Sequence, residues 1–179
     1  MGVGGRMADG DGYLHVSHGF DPVFDERSRV IILGSFPSVL SRRNDFYYGN
    51  PQNRFWRVMA RCLGEACPQT VPEKRAMLLA HGIALWDVIA SCDIRGSSDA
   101  SIRNVTPVDL GRVTRVARLR SVLCNGTTAG RLYHRWLETQ TNMPAEVLPS
   151  TSPANAAWRL ERLVARWNES LSPSLGEGR

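Results

Sequence analysis

The sequence predicts an α/β fold in which a parallel sheet of four strands carries helices on both faces. Three observations lead there. Apolar runs with strand character stand at residues 30–33, 83–86, 121–124 and 146–148. Each is cut off by a turn signal, at Gly34, Asp87, Asn125-Gly126 and Pro149. Between them lie segments with helical spacing, so the order is strand–helix–helix–strand–helix–strand–helix–strand–helix, as in a parallel sheet with crossover helices.

In chain order, residues 1–19 are rich in Gly and Asp with no apolar period, which reads as a flexible leader. The run Val30-Ile31-Ile32-Leu33 is the first strand. Asn50-Pro51 reads as an N-cap followed by Pro at the first helical position, opening a helix to residue 63 that buries Phe55, Val58, Met59, Cys62 and Leu63. A second helix spans 72–81, and Gly82 resets the chain before Ile83-Ala84-Leu85-Trp86. Residues 91–106 turn polar and read as a loop long enough to be functional. Helices follow at 107–118, 127–137 and 154–167, the last marked by Ala157, Leu160, Leu163, Val164 and Trp167. The tail from Ser170 reads as disordered, which leaves a single domain over residues 20–169.

Composition narrows the classes. A chain of 179 residues with 42% hydrophobic content supports one domain with a real core. The formal charge of +5, mostly arginine, suits a phosphate-bearing partner. No apolar run approaches the roughly 20 residues that span a bilayer, and no secretion signal is present, so the expectation is a cytoplasmic monomer with no membrane partner. Cys62, Cys67, Cys92 and Cys124 form no C-x-x-C pair, which predicts buried free thiols, no disulfide and no metal. No cofactor is expected.

The turns after the four strands share one edge of a parallel sheet, so segments far apart in sequence line one cleft. Gly34-Ser35-Phe36-Pro37-Ser38 brings backbone N–H groups, two hydroxyls and a rigid Pro. Phe46-Tyr47-Tyr48 adds aromatic faces, and Ser150-Thr151-Ser152 adds hydroxyls and N–H groups ahead of a helix, suited either to cradling a phosphate or to capping that helix.

Three segments carry a family likeness in order: Gly34-Ser35-Phe36-Pro37-Ser38, then Tyr47-Tyr48-Gly49-Asn50-Pro51-Gln52-Asn53-Arg54-Phe55-Trp56, then Leu148-Pro149-Ser150-Thr151-Ser152-Pro153-Ala154-Asn155. Together they resemble the uracil-DNA glycosylase superfamily, most closely its hypoxanthine-DNA (DNA-deoxyinosine) glycosylase branch. The resemblance implies a three-layer α/β/α sandwich and a partner, DNA containing deaminated bases. It also implies a monofunctional glycosylase of base-excision repair that flips out hypoxanthine or uracil and hydrolyses the N-glycosidic bond. Some relatives hold an iron–sulfur cluster on four cysteines, but the spacing here argues against one.

The resemblance also assigns roles. Tyr48 matches the aromatic that related glycosylases place under the flipped base; packing beside Phe55 and Trp56 is the other reading of the same residue. Ser35 and Phe36 join it in the base pocket, while Ser38, Ser150, Thr151 and Ser152 fall to the DNA backbone. Many relatives position water with an Asp or Asn where this chain has Phe36, and stabilise the leaving base with a His where it has Leu148. The likeness to the hypoxanthine branch moves catalysis to Asn53 and Asn125, each of which also fits a structural turn or cap. Asp87 closes the second strand. An ionised carboxylate there would accept from N1–H of hypoxanthine or N3–H of uracil and repel normal bases, although an Asp at a turn also caps backbone. No lysine occupies the motif positions, so no Schiff-base lyase step is expected. The other readings are a damaged-DNA-binding module of the same fold that has lost turnover, and a hydrolase of free nucleosides.

Overall fold

In the computed structural model, which describes residues 10–96 and 98–176, the chain runs β1 (Leu14–Ser17), β2 (Val30–Gly34), α1 (Val39–Asn44), α2 (Phe55–Leu63), α3 (Val71–Ala80), β3 (Ile83–Asp87) and β4 (Ile89–Ile94). A 3-10 turn (Asp99–Ser101), β5 (Arg103–Pro107), α4 (Gly111–Thr114), β6 (Ser121–Asn125), α5 (Thr127–Trp136), α6 (Glu138–Thr141), β7 (Ala145–Leu148) and α7 (Leu160–Gly176) complete it. Four strands form a parallel sheet in the order β3-β2-β6-β7. β2, a run without polar alternation, is buried along its whole length at the centre, as such a run requires. α3 packs on β3, α5 on β6 and β7, and α2 on α7, giving the expected three-layer α/β/α sandwich.

The register places the functional edge. Gly34 lies opposite Asp87, Leu33 opposite Cys124, and Asn125 opposite Leu148. The four strands therefore end together. The chain steps from β2 to β3 on one side and later returns to β6 on the other, so the β2/β6 boundary is the switch point where such sheets open a crevice.

A second sheet, antiparallel in the order β1-β4-β5, lies outside the sequence prediction. Leu14–Ser17, inside the stretch read as a flexible leader, is a strand paired with β4; residues 1–9 lie outside the described residues. The polar stretch 91–106, read as one loop, holds most of β4 and β5 on either side of a shorter connection that carries the 3-10 turn. In β4 only Ile89, Cys92 and Ile94 are buried, and β1 buries Val16 alone, so little apolar signal reaches the sequence. Register shifts between Ile89 and Asp93 further break the period-two pattern.

Helix boundaries also move. α2 begins at Phe55, not Pro51, because residues 50–53 form a turn: Asn50 Oδ1 accepts Gln52 N–H at 2.9 Å and Asn50 O accepts Asn53 N–H at 2.9 Å. The helix predicted over 107–118 shrinks to Gly111–Thr114, since Pro107 ends a strand opposite Ile89. α7 starts at Leu160 instead of 154 and continues through Gly176. The part of the tail from Ser170 to Gly176 is thus helical: Leu171 is buried, and the Ser170 hydroxyl donates to Glu146 at 2.6 Å. Residues 177–179 lie outside the described residues. α3 follows its sequence signals, with Pro72 in the first turn and a capping box between Thr70 and Glu73.

The four cysteines are free, but Cys67 is exposed and Cys62 half-buried. Burial pushes the Cys124 thiol up to about 12. Trp167 is fully buried, meets Phe55 edge-on at 6.1 Å between centroids, and donates from Nε1 to Pro149 O at 3.0 Å. It therefore ties α7 and α2 to the turn after β7. Trp167→Ala is expected to lower unfolding free energy by roughly 3–5 kcal/mol, the range for emptying a buried aromatic site, as a reduced midpoint in denaturant titration.

Candidate active site

At the shared strand ends the protein encloses a cavity of about 510 Å³ whose walls include Gly34–Ser41, Tyr47, Tyr48, Asn50, Asn53, Asp87, Asp99, Asn125 and residues 150–154. That volume is within the range of small-molecule sites. All ten of the site residues predicted from the sequence, Ser35, Phe36, Ser38, Tyr48, Asn53, Asp87, Asn125, Ser150, Thr151 and Ser152, line it. Gly34 is required by close approach: a Cβ there would stand 2.3 Å from Asp87 Oδ1 and 3.1 Å from the Tyr48 hydroxyl. Gly126, at φ +96, makes the turn that lets α5 start directly behind Asn125, with Ser150 close against it.

One hydrogen-bonded chain crosses the cavity wall. Asn125 donates from Nδ2 to both the Tyr48 hydroxyl (3.0 Å) and Thr151 Oγ1 (2.9 Å), and its Oδ1 accepts Thr151 N–H (3.0 Å). Thr151 in turn donates from Oγ1 to Asn53 Oδ1 (2.9 Å), which also accepts Phe55 N–H (2.9 Å). The two amides are thus oriented in opposite senses. Asn125 has committed both N–H groups to the protein, whereas Asn53 keeps its oxygen in the wall and its Nδ2 without a hydrogen bond among the described residues. Thr151, predicted for a phosphate cradle, has no exposed surface; its hydroxyl bridges the amides instead.

The aromatic wall serves both readings of Tyr48. Its ring stacks on Phe55 at 4.0 Å and 22°, yet it lines the cavity, and it sits at φ +52, an unusual setting for a bulky side chain. Burial, reinforced by the Asp87 charge and opposed by the Asn125 hydrogen bond, holds its phenol well above the ordinary value. Phe36 is buried with the Arg42 guanidinium 5.3 Å above its ring. Ser38 caps α1, accepting Ser41 N–H at 3.1 Å. Ser150 and Ser152 cap their own turn rather than α7: Ser150 Oγ accepts Ser152 N–H at 3.1 Å and Ser152 Oγ accepts Ala154 N–H at 3.2 Å.

Arg54, inside the second motif segment, is turned inward. Its guanidinium donates to the carbonyls of Ser152 (2.6 Å), Asn155 (3.1 Å), Thr151 (3.3 Å) and Trp158, and its backbone N–H also reaches Thr151 O (3.1 Å). Burial, with Arg57 nearby, holds it below the usual arginine value.

Two further groups have no signal in the sequence: Asp99 lines the cavity, and His18 stands behind its Asp87. His18, buried at the end of β1, places Nε2 2.7 Å from Asp87 Oδ2. Asp99, from the 3-10 turn, accepts the Ser35 hydroxyl at 3.2 Å at the cavity mouth. The protein packed around Asp99 raises its carboxyl above the usual range; the Ser35 hydrogen bond opposes this and the Asp87 charge adds to it. Both belong to stretches read as leader and loop, where only the antiparallel sheet brings them to the parallel sheet's edge. Among the described residues no three His, Cys, Asp or Glu side chains group to hold a metal ion, and no helix is long and apolar enough to cross a membrane.

A parallel α/β sheet with a cleft at its switch point, walled by a G-S-F-P-S loop and a buried Thr that joins two amides, defines an α/β domain with a ligand-sized polar cavity. The family model of the uracil DNA glycosylase superfamily matches residues 22–172, and the chain belongs to that superfamily. It is 37% identical over 149 residues to a protein of Methanosarcina acetivorans named hypoxanthine DNA glycosylase, covering 82% of this chain and 93% of that one. A protein of the same name from Methanosarcina barkeri is 34% identical over 155 residues, covering 86% and 96%. A solution structure from M. acetivorans, described as a candidate uracil DNA glycosylase, superposes with a TM-score of 0.76 at 33% identity, over 88% of this chain and 98% of that one.

Two outcomes follow from the geometry. Thr151→Val keeps the shape but leaves an Asn125 N–H unpaired and the Asn53 oxygen with Phe55 N–H alone, so unfolding free energy should fall by roughly 1–3 kcal/mol in denaturant titration. Asp99 has a folded-state carboxyl raised above its unfolded value, so its ionised form opposes folding at neutral pH, and that opposition fades as pH falls through the folded and then the unfolded value. Asp99→Asn should therefore raise the melting temperature at pH 7, with the gain vanishing in acid below the ordinary Asp range.

Proposed function

We propose that the protein is a monofunctional DNA glycosylase, acting as a monomer, that draws a flipped deaminated base into this cavity and hydrolyses its N-glycosidic bond to leave an abasic site. Hypoxanthine is the first substrate and uracil the second. The observation that carries the reading is the Asn125–Thr151–Asn53 chain, which puts two amides from separate motifs into one cavity beside an aromatic ring and a carboxylate. The names of the relatives support the same substrate class.

The roles follow from the polarity of the wall. Asn53 presents N–H groups, so it holds an attacking water by its oxygen or steadies charge on the departing base; it does not take a proton. The acceptor for the water's proton is the cavity carboxylate Asp99, which leaves Asp87 to the base. Asn125 acts through its grip on Tyr48, whose ring receives the base, with Phe36 and Ser35 closing the pocket around it. Ser38, Ser150 and Ser152, at the ends of the flanking loops, are left to meet the phosphate backbone. No lysine is among the residues lining the cavity, which supports hydrolysis without a lyase step.

The alternative, a binding module of the same fold, is favoured by the apolar Phe36 and Leu148. It would give tight binding to damaged duplexes without turnover. Duplexes carrying inosine, uracil or xanthine, incubated with the protein and cleaved with alkali, decide between them: strand scission at inosine is expected, and an intact panel would end the glycosylase reading. Asn53→Ala should lower kcat on inosine by about 100-fold, the scale for removing one preorganised donor.

A further inference from the structure

We propose that His18 is the positioning residue that makes Asp87 a one-sided acceptor for the N–H edge of a flipped lactam base, an inference that rests on the glycosylase reading above. His18 Nδ1 lies 3.0 Å from Phe20 O. A carbonyl oxygen only accepts, so Nδ1 carries a proton. Nε2 lies 2.7 Å from Asp87 Oδ2, where two bare lone pairs would repel, so a second proton sits between them. The buried pair therefore holds one shared proton and no net charge, which permits a carboxylate in a wall with little access to water.

The same contact sets direction. With Oδ2 occupied by the imidazole, Oδ1 is the oxygen left over; it makes no hydrogen bond among the described residues and lies against the bare Cα of Gly34, and Asp87 is one of the residues lining the cavity. The imidazole itself is clasped by the rings of Phe20 (4.4 Å), Tyr47 (5.8 Å) and Phe36 (6.3 Å). A base N–H donating to Oδ1 favours the imidazolium–carboxylate arrangement. Hypoxanthine N1–H and uracil N3–H are such donors, whereas adenine N1 and cytosine N3 bring a lone pair against a lone pair. Without the imidazolium, a buried carboxyl takes up a proton and offers O–H instead, the partner suited to adenine.

The other titratable groups facing Asp87 are the Tyr47 and Tyr48 phenols and Asp99, with Arg42 over Phe36. Both phenols are held protonated by burial, and Asp99→Asn separates the contribution of Asp99. The test is kcat/KM on inosine and on adenine duplexes from acid to alkaline pH, for wild type, His18→Leu, His18→Gln, Asp99→Asn and the His18→Leu/Asp87→Asn double variant. His18→Leu should lose about 100-fold on inosine at neutral pH, the scale of a charge-assisted hydrogen bond. Its acidic limb should move to higher pH and the inosine-over-adenine ratio should narrow. His18→Gln, which restores an N–H to Oδ2, should recover part of the loss, and the double variant should be no worse than His18→Leu.

An unmoved acidic limb and unchanged base ratio in His18→Leu, or a loss equal on every base at every pH, would overturn the proposal while leaving the glycosylase reading intact. No cleavage of any lactam base by the wild-type protein would overturn both. If His18→Leu does not fold, ring ¹⁵N shifts of the wild-type protein decide: two protonated nitrogens on His18 at neutral pH, with the Nε2 proton lost in Asp87→Asn, are expected, and a bare Nε2 in the wild type overturns it.

Discussion

A single guanidinium holds the site in shape. Arg54 has no carboxylate partner among the described residues; its charge is met by the carbonyl dipoles of Thr151, Ser152, Asn155 and Trp158, which converge on it because the segment between β7 and α7 folds around its head. The segment itself has turns but no helix or strand to stabilise it. Without that cation its carbonyls would turn toward water, and Thr151 would not be placed against Asn53, the residue next to Arg54. An arginine suits this position because its five donors fan out in one plane, which an ammonium cannot match.

What the bracing preserves is polarity. The order of donors and acceptors from Tyr48 through Asn125 and Thr151 to Asn53 leaves no freedom to flip either amide without losing bonds at both ends. An Asn in solution offers either face to a ligand; here one is closed and the other presents donors. Preorganisation of this kind keeps reorganisation cost out of the chemical step. The cavity is therefore polar despite the apolar Phe36 and Leu148 at its strand ends.

The sequence reads well where burial is complete and poorly where it is partial. β2, β3 and β6 are continuous apolar runs ended by Gly34, Asp87 and Asn125, so the strands, their parallel order and the convergence of their ends all follow from residue pattern. β1 and β4 each show one face to solvent, and bulges in β4 spoil the alternation, so the antiparallel sheet leaves no clear trace. The ten site residues come from the loops after the continuous strands and the motif segments, and all reach the cavity. Asp99 reaches it, and His18 reaches Asp87 behind it, through pairings between segments whose local sequence is polar. Arg54 and Thr151 are in motifs, yet the inward turn of one and the burial of the other depend on a segment a hundred residues away and are not readable locally.

The family match begins at residue 22, after β1 and His18. Those earlier residues nonetheless contribute an edge strand to β4, and β4 continues the chain directly from Asp87. A protein trimmed to the matched segment would keep every recognisable motif and still expose the flank of β4 and open a void behind Asp87 where an imidazole had been. The family model therefore stops short of a strand and an imidazole that back the cavity wall behind Asp87.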